Sequence, residues 1–365
     1  MKLLLVLAVT LTATQAADIV DPSTCTAFPC QIFNDEFDFF DFSAWEHEMT
    51  MGGGGNWEFQ AYVNNRSVTY THDSTLFIKP QLVADWQGEA FLTTGTWDMW
   101  GAHGRNEKCT GNAFYGCFRA GANGLLNPVM SGRLRTLPFF GVAFGRVEVR
   151  AKLPRGDWLW PAIWMMPRNF EYGLWPASGE IDIVESRGND NYGNLGNGFG
   201  GTTLHWGPAW NYNMYGLTHS EYSPADGSSF ADNFHTWRLD WTPDGMTFYL
   251  DDAVILTVDP GTNFWDFGGL ASSGFENPWR YGSKMSPFDK EFHVILNLAV
   301  GGTNGFFPDD VPSSPPKPWS NAEGTAPASF WNARNDWLPT WQNGESTISE
   351  SAALQVDYVR VWKLS

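Results

Sequence analysis

Three carboxylates stand within six residues in the stretch Trp175-Pro-Ala-Ser-Gly-Glu180-Ile-Asp182-Ile-Val-Glu185-Ser-Arg-Gly188. Between them lie Ile181, Ile183 and Val184, residues that favour a half-buried strand over a charged surface. On a strand alternate residues share a face, so Glu180 and Asp182 point together. Glu185 lies three residues beyond Asp182 and breaks the parity. One extra residue, a β-bulge, restores it and puts all three acids on one face. Like charges grouped in apolar surroundings are costly, so the grouping calls for a chemical reason. Cleavage of a glycosidic bond supplies one. One carboxyl protonates the leaving oxygen while the other attacks the anomeric carbon, and retention of configuration needs the pair roughly 5–5.5 Å apart. Neighbouring negative charge also raises the pKa of the acid partner and keeps it protonated near neutral pH. Spacing alone does not say which glutamate plays which part. The alternatives fit less well. An ion-pair ladder wants basic partners, and Arg187 is the only base nearby. Calcium wants loop carbonyls among its ligands, not a β-branched strand.

The elements that must carry these acids read as strands. Alternating or apolar runs recur at Ser67 to Ile78, Gly145 to Lys152, Phe234 to Leu250 and Phe292 to Ala299, and the chain closes on Leu354 to Trp362. Pro243-Asp244-Gly245 marks a turn between two of them. Helical periodicity is nearly absent, there are no repeats, and 38 glycines and 22 prolines supply many turns. The pattern predicts an all-β fold, a sandwich or a barrel. Gly52 to Gly55, Asp98 to Asn127 and Pro308 to Ser320 read as loops, the last folding over a surface because it ends in Trp319. None reads as an interdomain linker, so one catalytic domain is expected over 31–365, after a short N-terminal segment at 18–30.

Residues 1–17 have the pattern of an export signal: Lys2, an apolar run from Leu3 to Leu11, then Ala13, Ala16 and Ala17 for cleavage. That run is too short to span a bilayer, and no later segment is long enough. A secreted, extracellular, soluble protein is expected, and nothing argues against a monomer. Export permits disulfides. Four cysteines allow three pairings, of which Cys25–Cys30 with Cys109–Cys117 is the simplest; zinc would want a histidine near them. The formal charge of −18 disfavours nucleic acid, anionic lipid and sulfated polysaccharide, and suits a neutral partner. Twenty tryptophans exceed the needs of a core this size. Roughly two-thirds are expected inside, the remainder at a cleft or rim where a flat ring meets the C–H face of a sugar.

The acid motif, with Trp160-Pro-Ala-Ile-Trp164-Met-Met-Pro167 before it, resembles glycoside hydrolase family 16. The flanks agree: Asn34-Asp-Glu-Phe37, Asn56-Trp-Glu-Phe-Gln60, Trp237-Arg-Leu-Asp-Trp241-Thr-Pro-Asp-Gly245, Asn297-Leu-Ala-Val-Gly-Gly302 and Val356-Asp-Tyr-Val-Arg-Val361. The bulged spacing is similar to that of laminarinases, and of the invertebrate β-1,3-glucanases and glucan-recognition proteins in particular. The resemblance implies a β-jelly-roll sandwich of two antiparallel sheets with a concave substrate cleft. It implies a retaining enzyme with Glu180 as nucleophile, Glu185 as general acid/base and Asp182 tuning the protonation of the nucleophile. It implies sugar contacts from Asn56, Arg66, Trp160, Trp164 and His205, with Trp319 and Trp241 as further cleft candidates. For the tryptophans the alternative is core packing, and for Asn297 either a structural or a substrate-facing place is open. No cofactor is required for the chemistry. A structural calcium is implied at Glu36, the Ser74 backbone oxygen and Asp357. The implied partner is a β-1,3-glucan. The competing functions are an endo-β-1,3-glucanase, a glucan receptor without turnover, and a hydrolase of mixed-linkage glucan.

Overall fold

The structure is a computed structural model that describes residues 15–101 and 108–365. Apart from its last three positions, the expected export signal at 1–17 lies outside the described residues. Two large sheets carry the fold, one of nine strands and one of seven. The seven-stranded sheet runs in the order His219–Tyr222, Gly200–His205, Glu180–Ser186, Leu159–Pro167, Phe292–Val300, Arg133–Arg135 and Glu46–His47, every pair antiparallel. In the nine-stranded sheet, Gly145–Lys152 sits between His235–Thr242 and Leu354–Lys363.

Alternation explains how the sheets face each other. Val147, Val149 and Ala151 are buried, while Arg146, Glu148 and Arg150 between them are half-exposed. Trp237, Leu239 and Trp241 repeat the pattern on the next strand. The inner faces of the two sheets form one continuous apolar core, to which the seven-stranded sheet contributes Ile163, Met165, Ile181 and Leu204. Phe292–Val300 is buried along its whole length, which is why it is apolar on both faces apart from His293 and Asn297. Thirteen of the twenty tryptophans are buried, close to the two-thirds expected. Trp241 is one of them. It is fully enclosed, with Nε1 donating to the Phe288 carbonyl at 3.0 Å, and so belongs to the core rather than to a cleft.

The cysteines pair locally, Cys25 with Cys30 and Cys109 with Cys117. The segment 18–30 is stitched to the nine-stranded sheet, because Asp18–Ile19 pairs with the strand Cys30–Asp35. Two helices, Ala326–Asn332 and Arg334–Gln342, were not expected. Their sequence carries little helical pattern, and Pro339 lies inside the second. Packing rather than propensity holds them: Phe330 stacks on Trp337 at 4.4 Å, and Trp341 donates to the Asp157 carbonyl at 2.9 Å. Among the described residues no helix is long and apolar enough to cross a membrane.

Ile163 is fully buried on the strand beside the carboxylates, yet points away from them into the core. Ile163→Ala is expected to destabilise the fold by about 2–5 kcal/mol. The midpoint of denaturant unfolding checks this; a change under about 1 kcal/mol would mean that the two sheets do not close on this side chain.

Candidate active site

The strand Glu180–Ser186 is clamped between two others. On one side Glu180, Asp182 and Glu185 stand opposite His205, Thr203 and Gly201. On the other, Asp182 stands opposite Trp164 and Glu185 opposite Ala162. Both pairings slip by one residue between Asp182 and Glu185, and Ile183 and Val184 are both buried there. This is the bulge that the acid spacing requires, and it turns the three carboxyls to one face.

Each acid has a distinct partner. Trp175 Nε1 donates to Glu180 Oε2 at 2.6 Å. Trp160 Nε1 donates to Glu185 Oε1 at 2.9 Å. His205 Nε2 lies 3.2 Å from Asp182 Oδ2. Asp182 is only 2% exposed, so burial first, then the charges of Glu180 and Glu185, hold its carboxyl well above the usual range, against the opposing pull of His205. Burial would push His205 down, but Asp182, with the two glutamates beyond it, lifts its pKa to about 10. Both directions agree that the Asp182–His205 pair keeps at least one proton at neutral pH. Glu185 is also raised, by burial chiefly and by Glu180, while His205, the Trp160 N–H and Arg187 oppose the shift. One ligand atom each of Glu180, Asp182 and His205 lie within 4.8 Å of one another.

A second layer holds the tryptophans. Phe306 stacks on Trp160 with ring centroids 3.8 Å apart. Arg187 lies 4.0 Å from the centre of the Phe306 ring and donates to the Phe306 carbonyl. A chain of donors starts at Trp164: its Nε1 donates to Asn297 Oδ1 at 2.6 Å, Asn297 Nδ2 to the Tyr62 hydroxyl at 3.1 Å, and that hydroxyl to Glu58 at 3.3 Å. A second chain arrives from the other side, Asn304 to Asn56 and Asn56 to Glu58, both at 3.0 Å. The glycine run belongs to this cradle. Gly53 and Gly54 have φ near +60°, and a Cβ on Gly54 would stand 2.5 Å from Glu58 Oε1.

The structure therefore brings Glu180, Asp182, Glu185, Trp160, Trp164 and His205 onto one face, with Asn56 and Asn297 behind it. The tryptophan rings are not bare: Phe306 covers a face of Trp160, and the Arg133 guanidinium lies 4.7 Å from the centre of the Trp164 ring. Arg66 stands at the far edge of the sheet, where it donates to His47 Nε2 at 2.9 Å and packs on Phe40 and Phe42. Trp319 is 4% exposed in a nest of Phe59, Trp158, Phe307 and Phe330, with its N–H on the Gly302 carbonyl, so it is a core residue and not a sugar contact. The calcium set does not fit. Arg360 holds Glu36 with two hydrogen bonds, and Arg150 holds Asp357. Each carboxylate that calcium would need is already neutralised by a guanidinium. Sequence reasoning missed Trp175, although it stands five residues before Glu180 in the same motif. It also missed Phe306, whose role depends on a loop distant in sequence.

A two-sheet β-sandwich with paired glutamates on the open face of a bulged strand has the architecture of a glycoside hydrolase. Comparison with known proteins narrows this. The family model "Glycosyl hydrolases family 16" matches residues 123–266, which include all three acids. The Penaeus monodon "Beta-1,3-glucan-binding protein" is 65% identical over 350 residues, covering 96% of this chain and 94% of that protein. The "Glucan endo-1,3-beta-glucosidase" of Cryptopygus antarcticus is 37% identical over 262 residues, covering 71% of this chain and 75% of that one. The chain belongs to glycosyl hydrolase family 16, in company with invertebrate β-1,3-glucan-binding proteins. It spans 64% of the length of several longer insect relatives. The laminarinase from Rhodothermus marinus shares the fold at 22% identity and a TM-score of 0.57, over 93% of this chain and 100% of that one.

Trp160→Phe removes the N–H that stabilises ionised Glu185. The Glu185 pKa is then expected to rise further, so the carboxyl deprotonates at higher pH than in the wild type. Carbon-13 carboxyl titration followed by NMR checks the sign; an unmoved or lowered midpoint would remove Trp160 from the account of Glu185.

Proposed function

We propose that this chain is a secreted, retaining endo-β-1,3-glucanase. The observation that carries the reading is the convergence of Glu180, Asp182 and Glu185 on one sheet face, each with its own partner. In the first step the Glu180 carboxylate attacks the anomeric carbon, and the bond from that carbon to the bridging oxygen breaks. Glu185 gives its proton to the departing oxygen. In the second step Glu185 takes a proton from water, whose oxygen displaces Glu180 from the sugar. The raised pKa of Glu185 suits it to the acid role. The Trp175 N–H holds the Glu180 carboxyl in a fixed orientation, which suits the nucleophile. Asp182 and His205 hold a proton between the two and limit the charge of the cluster. The alkaline side of the pH profile then follows Glu185: activity falls as pH rises through its pKa.

The relatives support β-1,3-glucan as the ligand, since one is named for binding it and another for cutting it. Export is supported by the pattern of residues 1–17 and by two disulfides, which suit an oxidising compartment. A second reading, recognition of β-1,3-glucan without turnover, is favoured by the binding protein at 65% identity.

The test is release of reducing sugar from laminarin, mixed-linkage glucan, agar and carrageenan, with Glu180→Ser and Glu185→Gln beside the wild type. Rapid release from laminarin is expected, lowered about 10²–10⁴-fold in Glu185→Gln and abolished in Glu180→Ser, with binding retained in both. Binding of laminarin by the wild type with no release from any polymer would establish the second reading in its place.

A further inference from the structure

The segment 207–217 joins the strand that carries His205 to the edge strand His219–Tyr222. It has no charged residue, in a chain of which 17% is charged, and consists of Gly, Pro, Ala, Trp, Asn, Tyr, Met and Leu. Its rings face solvent: Trp210 is 77% exposed, Tyr215 49% and Tyr212 38%. Exposed rings this close together are unusual unless something covers them.

The loop is built rather than loose. It winds through two short 3₁₀ turns, Trp210–Tyr212 and Tyr215–Leu217. Met214 N donates to the Trp206 carbonyl at 2.7 Å, and Trp206 Nε1 to the Thr218 hydroxyl at 2.9 Å. Gly207 has φ +154°, and a Cβ there would lie 1.8 Å from the Tyr212 carbonyl oxygen, so the loop passes directly over its own root. The Asn213 amide meets His205 Nδ1 at 2.7 Å. The same loop thus fixes the imidazole that faces Asp182.

At Tyr215 the aromatic surface adjoins the candidate site. Trp175, bonded to Glu180, has its ring centre 5.7 Å from His205, and His205 lies 5.5 Å from Tyr215. On the opposite flank of the carboxylates the sheet face is charged and self-paired, Arg133 with Glu48 and Arg135 with Glu46. One flank offers ion pairs, the other uncharged rings and amides. Flat rings match the C–H faces of a neutral sugar chain, and asparagine amides match its hydroxyls.

We propose that the loop 207–217 is a further sugar-binding shelf, which takes the units of a neutral β-glucan chain that extend past the carboxylates on the Trp175 side. This deepens the reading of the site as a β-glucan site and rests on it. Trp210 and Tyr215 would stack on successive or nearby sugar units, so the shelf is a determinant of chain length rather than of bond cleavage.

The experiment measures calorimetric binding of laminari-oligosaccharides of two to eight units, in a Glu180→Ser background that prevents turnover. Trp210→Ala and Tyr215→Ala are added singly and together. Both rings are exposed, so folding should be unaffected, and the thermal midpoint checks this. The parent's affinity is expected to climb with chain length. In the double variant the climb should stop earlier, weakening the longest oligosaccharides about tenfold while the shortest bind as before. Trp210→Phe should keep more of the long-chain affinity than Trp210→Ala. A double variant that tracks the parent at every length would overturn the shelf while leaving the site intact. A parent that binds no oligosaccharide would instead overturn the underlying glucan reading.

Discussion

Mutual repulsion among three carboxyls on one strand is the constraint from which the rest of the site follows. Held on one face and largely shut from water, they cannot all be ionised at modest cost. The protein answers with a different neighbour for each: an indole N–H for Glu180, another for Glu185, an imidazole for Asp182. Two of these neighbours are held in turn. The Asn213 amide fixes His205, Phe306 covers Trp160, and Arg187 packs on Phe306 while sharing the sheet's buried charge with Glu185. The bulge is the backbone form of the same constraint. A regular strand would send Glu185 into the apolar core, where Ile183 and Val184 now lie.

Behind the face, Glu58 plays an organising part. Donation runs toward it from both sides, from Trp164 through Asn297 and Tyr62, and from Asn304 through Asn56. Gln60 adds a third donor to the same carboxylate at 2.6 Å. Such a chain has one direction only, because every donor along it is turned to its acceptor. It joins the floor of the site to the loop after Val300, and that loop carries Phe306. The position of the ring over Trp160 therefore depends on a carboxylate that approaches no reacting group.

What could be read from the sequence was whatever depends on local order. Parity along one strand revealed the bulge, and short separations along the chain paired the cysteines. The strands declared themselves where one face is buried, as in 145–152 and 235–250. Features set by partners distant in the chain were not legible. Nothing near Glu36 or Asp357 shows that Arg360 and Arg150 will lie against them, so a plausible calcium set turned out to be two ion pairs. Trp319 follows a proline-rich stretch that suggests a surface, yet its ring fills a gap between Phe59 and Trp158. The helices at 326–342 bury residues four apart, but each is short, they break at Ala333, and Pro339 inside the second masks the period. Trp175 differs from these cases, since it was inside the motif, and only attention to what a carboxylate needs as a donor would have singled it out.

Asp182 separates the demands of cutting from those of holding. A site that only held sugar would use the rings and amides around it and would gain nothing from a carboxyl that is 2% exposed between two others. In double displacement the charge on Glu180 disappears when its ester forms and returns when the ester is hydrolysed. Glu185 passes from acid to base and back over the same interval. A group coupled to both feels each of these changes, and Asp182, facing His205 and flanked by both glutamates, is placed to do so. Simple recognition has no cycle of charge to follow, and for that reason the buried aspartate supports the hydrolytic reading more strongly than either glutamate does alone.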